Sequence, residues 1–345
     1  MLRLSAIGDC CHTLPVVRTL QRAWPETSIT WIIGNTEFQL LRGAADIEFV
    51  TFDKSRGLRA YGDLRRTLRG RHFAVLLDMH ASMRANLASC TVRADERIGF
   101  DKARARDWQW LFTNRTIAAQ PRQHVMDGLF GFVEALGITD RELRWDIPVA
   151  DRDREFAANL CTGTGPVCVI SPCSSQRLRN YRNWSVENYA AVAAYLAAKH
   201  GAQVILTGGP TDYEKAYGEK ICRAAASPVT NVIGRTSLKQ LLAVIDRADL
   251  VICPDSGPAH MATAVGTPVI GLYATSNRHR TGPYLSQHLV VDAYPEAVQR
   301  EFGQPVEALA WGKRVRDPDA MDLIRIDSVL EKIDLVLDAT SSPQQ

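Results

Sequence analysis

Short apolar runs of only four or five residues recur along the chain. They are continuous, without the alternation of a half-exposed strand, which predicts buried parallel strands covered by helices on both faces. The predicted strands are residues 29–33, 73–77, 167–170, 203–207, 250–253 and 269–273.

Amphipathic segments long enough for helices lie between these runs. The predicted helices are residues 13–24, 58–68, 186–200, 213–225, 237–246 and, near the end of the chain, 326–338. Because strands and helices alternate, the pattern predicts an α/β protein with parallel sheets.

A stretch of polar and turn residues, 149–165, separates two sets of strands and helices. A chain of 345 residues is also long enough for two hydrophobic cores. We predict one domain at 1–155, a second at 156–322, and a C-terminal helical segment at 323–345. Two such sheets facing each other would leave a cleft for ligands.

The composition is that of an ordinary globular protein, with 46% hydrophobic and 23% charged residues. The formal net charge is only +3, which excludes a polycation that binds nucleic acid through bulk electrostatics. Any anionic partner must therefore be bound locally.

The eight cysteines include no CxxC pair, and several lie in apolar runs. We interpret them as core residues in a reducing cytosol and predict no metal site. No apolar run has the length of a signal-peptide core or approaches the ~18 residues of a membrane span. The chain is therefore predicted to be cytoplasmic.

The first candidate site follows a very short strand at 1–4, where Gly8 and Asp9 precede a helix predicted to begin near Thr13. Gly8 would let the backbone approach a ligand closely, and Asp9 could act as a general base. The structural alternative is that Asp9 only caps the helix, because Asp is a favoured capping residue.

The second candidate site comes after another strand, at residues 253–260. The amides of Ser256 and Gly257 at a helix N-terminus would form an anion site suited to a diphosphate. Asp255 could accept hydrogen bonds from sugar hydroxyls, and His260 could bind phosphate or sugar. The alternative is an Asp-capped helix with a satisfied histidine.

A third segment, 171–176, leads into the arginines Arg177, Arg179 and Arg182, one of which could neutralise a leaving diphosphate. The turn at 208–212 supplies a further loop, and Glu214 starts the next helix. Neither GxGxxG nor GxxxxGK[ST] is present, which argues against a dinucleotide oxidoreductase or a P-loop enzyme.

The first half of the chain carries a basic stretch that could meet an anionic acceptor or simply form a solvated face. His80 and Arg84, after the strand ending at Asp78, are further candidates for the same cleft. The basic residues are Lys54, Arg56, Arg59, Arg65, Arg66, Arg69 and Arg71.

Three motifs together resemble the glycosyltransferases of the lipopolysaccharide heptosyltransferase type, which is family 9. They are Ile-Gly-Asp-x-x-His-Thr-Leu-Pro at 7–15, Asp-Ser-Gly-Pro-Ala-His at 255–260 and Arg-Asn-Trp at 182–184. The resemblance implies a GT-B fold, with two Rossmann-like domains whose parallel sheets face an interdomain cleft. The first domain would bind the acceptor and the second the sugar nucleotide, with the last helix packing back on the first domain.

The resemblance also implies transfer of heptose from ADP-heptose to the inner core of lipopolysaccharide, with inversion and without metal or cofactor. Asp9 becomes the general base, and Arg182, which stands where lysine is usual, stabilises the leaving group. Thr236 with Glu214, or Asp212 instead of Glu214, would contact adenosine. The full donor set is Ser174, Thr207, Glu214, Thr236, Asp255, Ser256, Gly257 and His260; the acceptor set is Gly8, His12, Arg56, Arg59, His80 and Arg84.

The His-Thr-Leu-Pro stretch at 12–15 resembles the enzyme that adds the first heptose to a 3-deoxy-octulosonic acid residue on lipid A. A heptosylated core remains open as the acceptor. The alternatives are a nucleotide-sugar 2-epimerase of GT-B fold and a non-catalytic subunit that binds a sugar nucleotide. Peripheral association with the cytoplasmic face of the inner membrane is a further hypothesis.

Overall fold

The computed structural model describes residues 1–175 and 181–341 and divides the chain into two compact units, Met1–Pro148 and Val149–Gln345. Both units alternate strands with helices, as the sequence pattern predicts. In the first unit the elements are α1 (Ile7–Ala23), β1 (Ile29–Gly34), α2 (Asn35–Leu41), β2 (Ile47–Phe52), α3 (Arg59–Thr67), β3 (Phe73–Leu77), α4 (Met83–Ser89), β4 (Ala94–Gly99), β5 (Arg115–Thr116) and α5 (Val125–Glu134).

The strands of the first unit pair in parallel, β1 with β2 and β3 with β4 and β5. Leu2 forms parallel bridges to both Ile32 and Asp78, so the short segment 1–4 lies between β1 and β3. The spatial order is β2, β1, segment 1–4, β3, β4, β5. Successive strands are added on one side of segment 1–4 up to β2 and on its other side from β3 onward, so the strand order reverses between segment 1–4 and β3. Ligands bind at such topological switch points, outside the carboxyl ends of the strands.

Helix α1 begins at Ile7, well before the predicted start near Thr13, and it contains Pro15 in its interior. Proline lacks the N–H that would bond the carbonyl four residues earlier, which normally ends or kinks a helix. Here the Trp145 indole Nε1–H donates to the Cys11 carbonyl at 2.9 Å and replaces the missing backbone donor. The early start places Asp9 in the first helical turn.

We expect Trp145→Phe to lower the free energy of unfolding by about 1–3 kcal/mol, because it leaves the buried Cys11 carbonyl without a donor. Pro15→Ala restores the backbone N–H, so the same Trp145 substitution should cost less in that background. Urea unfolding of both single variants and the double variant measures the coupling. Additive effects in the double variant would contradict this role for Trp145.

The second unit is built on one six-stranded parallel sheet with the order β11, β10, β9, β6, β7, β8. The strands are β6 (Val167–Ile170), β7 (Gln203–Leu206), β8 (Thr230–Asn231), β9 (Leu250–Pro254), β10 (Val269–Tyr273) and β11 (Val291–Asp292). The helices are α6 (Asp151–Leu160), α7 (Val186–His200), α8 (Asp212–Ala224), α9 (Leu238–Asp246), α10 (Gly257–Val265), α11 (Arg278–Thr281), α12 (Tyr294–Phe302) and α13 (Ile326–Ser341). The six predicted strands are confirmed to within one residue at either end.

The structure places the domain division earlier than residue 155, which lies inside α6. Helix α6 packs on α9 and therefore belongs to the second unit. Helix α13 also joins the second unit, where Val329 and Ile333 enter the core and Asp334 accepts hydrogen bonds from α7. Its return to the first domain stays a prediction.

The eight cysteines are all free thiols, and six of them are buried. This confirms the interpretation as core residues for most of them, but Cys90 is exposed at the end of α4. Among the described helices, none combines the length and apolar character needed to cross a membrane.

Candidate active site

Asp9 lies at the switch point of the first unit with one carboxylate oxygen engaged. Its Oδ2 accepts the Ala6 N–H at 3.1 Å and pairs with the Arg3 guanidinium at 2.5 Å. Its Oδ1 has no hydrogen bond to the described part of the chain, and the side chain is 31% exposed. Capping and base chemistry are thus compatible, because the cap uses only one of the two oxygens.

The charge state of Asp9 depends on Arg3. Burial raises the pKa of the Asp9 carboxyl, but the Arg3 charge and the hydrogen bonds from Ala6 and Arg3 outweigh it and lower that pKa below its ordinary value. Arg3 is itself buried, and its guanidinium also donates to the Met79 carbonyl. Asp9 is therefore ionised at neutral pH.

We expect Arg3→Met to move the acid limb of kcat/KM to higher pH. Without the Arg3 charge, burial would raise the pKa of Asp9, so the base would become protonated and inactive at a higher pH than in the native protein. The measurement is a pH profile of kcat/KM, with Arg3→Lys as the control that keeps the charge. An unmoved acid limb in Arg3→Met would remove this role for Arg3.

His80 lies three residues after the end of β3 and contacts segment 1–4 at the same switch point. Its Nδ1 accepts the Leu4 N–H at 3.2 Å, so the ring proton of the neutral form resides on Nε2. Burial and the charges of Arg3 and Arg84 lower the pKa of His80 to about 4, although Asp9 opposes the shift. His80 is therefore a neutral N–H donor, and Arg84 is an exposed cation beside it in α4.

Glu37 is a neighbour of Asp9 that the sequence analysis missed, as it missed Arg3. It lies in the first turn of α2, after the carboxyl end of β1. Burial raises the pKa of Glu37, and the charge of Asp9 adds to this. The sequence feature that could have identified Glu37 is its position three residues after the end of β1, a predicted strand.

The other predicted acceptor residues are scattered. Gly8 is buried beside Asp9 in α1, whereas His12 is buried on the packed side of α1, with its ring 5.3 Å from that of His124. Arg56 is paired with Asp63, while Arg59 at the start of α3 is exposed and makes no ion pair with the described residues.

Three of the seven cations in the basic stretch are ion-paired within the first unit, and two of them share Asp63. Arg66 also pairs with Asp63, at 3.1 Å, and Arg71 pairs with Glu48 at 2.5 Å. For these arginines the solvated-face alternative describes the structure better than an open anion site.

The second unit has its own switch point between β6 and β9, from which the chain runs to β7 and β8 on one side and to β10 and β11 on the other. The loops after β6, β7, β9 and β10 all begin at the carboxyl edge of this sheet. The structure thus brings together the three segments that the sequence analysis selected, because parallel neighbours share one edge.

Asp255 is the buried centre of this edge. Arg182 Nη1 donates to the Asp255 carbonyl at 2.6 Å and lies 3.3 Å from its Oδ2, which also accepts the Ser276 hydroxyl at 2.8 Å. Ser276 follows β10 and was missed by the sequence analysis. Arg177 and Arg179 lie outside the described residues.

The N-terminus of α10 has no capping side chain among the residues that the structure describes. Ser256 is its N-cap residue, but the Ser256 hydroxyl donates to the Pro254 carbonyl at 3.1 Å. The first-turn amide of Gly257 and the helix dipole therefore remain for an anion. His260 is buried one turn along α10.

The remaining donor residues have mainly structural contacts. Glu214 accepts the Gly209 N–H at 2.5 Å and the Thr211 hydroxyl at 3.2 Å, so it holds the glycine turn. The Thr207 hydroxyl is buried 2.5 Å from that of Ser171. The Ser174 amide donates to Asn183, Thr236 is half-buried before α9, and Asp212 is fully exposed.

Comparison with known proteins identifies the family. Residues 61–309 match the family described as "Glycosyltransferase family 9 (heptosyltransferase)". The chain belongs to this family. It is 40% identical over 330 residues, 96% of this chain and 94% of the relative, to "Lipopolysaccharide core heptosyltransferase OpsX" of Haemophilus influenzae. It is 22% identical to "Lipopolysaccharide heptosyltransferase 1" of Escherichia coli K12, over 85% of this chain and 92% of the relative.

Solved structures show the same fold. A family 9 glycosyl transferase from Veillonella parvula has a TM-score of 0.80 at 20% identity, covering 98% of this chain and 96% of that one. The E. coli heptosyltransferase WaaC with ADP has a TM-score of 0.73 at 18% identity, covering 97% and 98%. The predicted GT-B fold with parallel sheets is confirmed. The predicted family is confirmed too, but similarity is greater to OpsX than to heptosyltransferase 1.

Proposed function

We propose that this glycosyltransferase moves heptose from ADP-heptose to the core of lipopolysaccharide, with inversion at the anomeric carbon. The observation that carries the proposal is Asp9, an ionised carboxylate at a switch point with one oxygen held by Arg3 and Ala6 and the other open. Membership of family 9 supports the donor and the acceptor class.

In the proposed reaction, Asp9 Oδ1 accepts the proton of an acceptor hydroxyl while that oxygen bonds to the anomeric carbon of heptose. The bond between that carbon and the ADP oxygen breaks on the opposite face, and ADP leaves with the bonding electron pair. His80, a neutral Nε2–H donor in the same unit, orients the acceptor by a hydrogen bond. Arg84 adds an exposed positive charge for an anionic acceptor.

The leaving diphosphate is stabilised by the second unit in this proposal. The open N-terminus of α10 and the Arg182 guanidinium offer an amide, a dipole and a positive charge where negative charge develops. Asp255, with Ser256, Gly257 and His260, would contact the sugar and the phosphates. We propose that this arrangement works without a divalent metal.

For adenosine, Thr236 and the loop after β7 are the proposed contacts. Both oxygens of Glu214 are used to hold the glycine turn, so Glu214 would shape this loop from within. Asp212, fully exposed in the first turn of α8, is then the better candidate for a direct contact with adenosine. Ser174 and Thr207 would contribute to donor binding indirectly, because their contacts with Asn183 and Ser171 hold the loops after β6 and β7 in place.

The experiment is ADP release from ADP-heptose, with a metal chelator present, in the presence of two acceptors offered separately. One acceptor is heptose-free core carrying 3-deoxy-octulosonic acid on lipid A, and the other already carries one heptose. Release with only the first identifies an enzyme that adds the first heptose, and release with only the second identifies a later step.

Two results would contradict the proposal. Interconversion of a free UDP-sugar without acceptor would favour the 2-epimerase alternative. Binding of ADP-heptose without ADP release in the presence of either acceptor would favour a non-catalytic subunit. Release that requires an added divalent cation would overturn only the metal-independent part.

A further inference from the structure

The loop between β4 and β5 exposes three large apolar side chains in the first unit. Trp108, Trp110 and Leu111, here called the indole rim, are 64%, 61% and 62% exposed. Indole rings combine a large apolar area with a polar N–H, which suits the boundary between water and lipid headgroups. Exposed apolar groups clustered in this way mark an interaction surface.

The loop is fixed in a shape that turns these side chains outward. Asp107 and Trp108 have φ angles of +51° and +56°, a left-handed backbone that bulky residues rarely adopt. The Asp107 carboxylate accepts the Met83 N–H at 2.8 Å, and its carbonyl accepts the Asn86 amide at 2.7 Å. Gln109, between the two indoles, is buried and donates to the Asp78 carbonyl at 2.9 Å.

A groove of about 1040 Å³ lies beside the rim, lined by both indoles, Met83, Phe100, Lys102 and Arg106 among others. Its walls come from the loop after β4 and the end of β5, and Met83 begins α4 just after His80. The groove is therefore at the same carboxyl edge of the sheet as the Asp9 site.

The charges beside the rim are positive. Lys102 and Arg106 are exposed and make no ion pair with residues that the structure describes, whereas Asp101 is paired with Arg104 and Asp107 caps α4. The basic stretch at 54–71 contains no tryptophan, and three of its seven cations, Arg56, Arg66 and Arg71, are ion-paired. Unpaired cations next to indoles are complementary to an anionic lipid surface.

We propose that the indole rim, with Lys102 and Arg106, docks the first unit on the interfacial layer of an anionic phospholipid bilayer. The indoles and Leu111 enter the boundary between headgroups and acyl chains, and the two cations face lipid phosphates. This places the carboxyl edge carrying Asp9 next to the membrane. The docking itself does not depend on the proposed function. Its effect on turnover, through bringing Asp9 close to an acceptor anchored in the membrane, rests on the proposed function.

The first test is partitioning of the full chain onto phosphatidylglycerol-containing vesicles at low salt, by co-sedimentation. Trp108→Ser/Trp110→Ser should reduce partitioning about tenfold, because the apolar contacts are lost. Trp24→Ser, which alters an exposed tryptophan at the other end of α1, is the matched control and should bind as the native protein does. Lys102→Ser/Arg106→Ser should remove most of the salt dependence.

Brominated lipids supply a second readout in the native chain. They should quench tryptophan fluorescence in the native protein and in Trp24→Ser, but much less in the double tryptophan variant. Equal vesicle binding by the native and double variants would overturn the proposal, as would loss of self-association in the double variant with no change in vesicle binding.

Kinetic measurements distinguish binding of the indole rim to the bilayer from binding to the acceptor itself. The double tryptophan variant should have a raised KM for acceptor embedded in vesicles and an unchanged KM for a deacylated, water-soluble acceptor. A raised KM for both acceptors would mean that the groove holds the acceptor's polar part and would overturn docking on the bilayer. Absence of turnover in every variant while vesicle binding follows the expectation would count against the proposed function and still support the docking surface.

Discussion

Asp9→Asn is expected to lower kcat about 10²–10⁴-fold while leaving the affinity for ADP-heptose nearly unchanged. The loss follows from removing a general base, whose contribution to catalysis is of this size. Asparagine keeps a side-chain oxygen that can accept the Ala6 N–H, so the first turn of α1 should survive. The measurements are steady-state ADP release, equilibrium binding of ADP-heptose and thermal unfolding.

Asp292→Asn is the matched control for this substitution. Asp292 also accepts a backbone N–H at a helix start, from Tyr294 at 3.1 Å, and also pairs with an arginine, Arg278 at 3.3 Å. It stands outside the proposed machinery, so its variant should keep full turnover. If Asp9→Asn turned over at the native rate, or if both variants lost activity equally, Asp9 would not be the base.

The second large effect is expected for Arg182→Ala, with kcat lowered about 10²–10³-fold, the range for removing one preorganised donor from a transition state. The negative charge on the diphosphate grows as the bond to heptose breaks, so kcat should fall more than KM rises. Arg182→Lys keeps the charge without the forked geometry and should recover part of the rate. The rates come from ADP release over a range of ADP-heptose concentrations.

Arg182→Ala also removes a buried contact, because Arg182 bonds the carbonyl and the carboxylate of Asp255. We expect a loss of about 1–3 kcal/mol in the free energy of unfolding. Arg278→Ala is the control, since Arg278 likewise bonds one carbonyl, of Gln287, and one carboxylate, of Asp292. Equal losses of kcat in both variants would show that the effect of Arg182 is structural.

The sequence predicted six of the eleven strands in the described residues, because buried parallel strands carry their signal locally, as continuous apolar runs such as those of β6 and β9. The missed strands, β2, β4, β5, β8 and β11, all contain exposed or half-buried positions. It also predicted the strand-end loops as sites, because the carboxyl ends of parallel strands share an edge whatever the details of packing. The motifs around Asp9 and Asp255 were therefore found without knowledge of any contact.

Contacts between distant parts of the chain set the start of α1. Local rules place Pro15 in the first turn of a helix, and the sequence analysis followed them. Trp145, far along the chain, supplies the donor that Pro15 lacks, so the helix extends back to Ile7. No local pattern contains that information, because the compensating group is close only in the folded unit.

The same reason separates what the sequence alone determined about the site from what only the tertiary structure decided. Residue type and position after a strand determined that Asp9, His80, Arg182 and Asp255 are candidates. The fold decided that Arg3 stabilises the ionised form of Asp9, that Ser276 and Arg182 hold Asp255, and that three cations of the basic stretch are ion-paired. The charge state of a buried group depends on which partners surround it, and those partners come from separate segments of the chain.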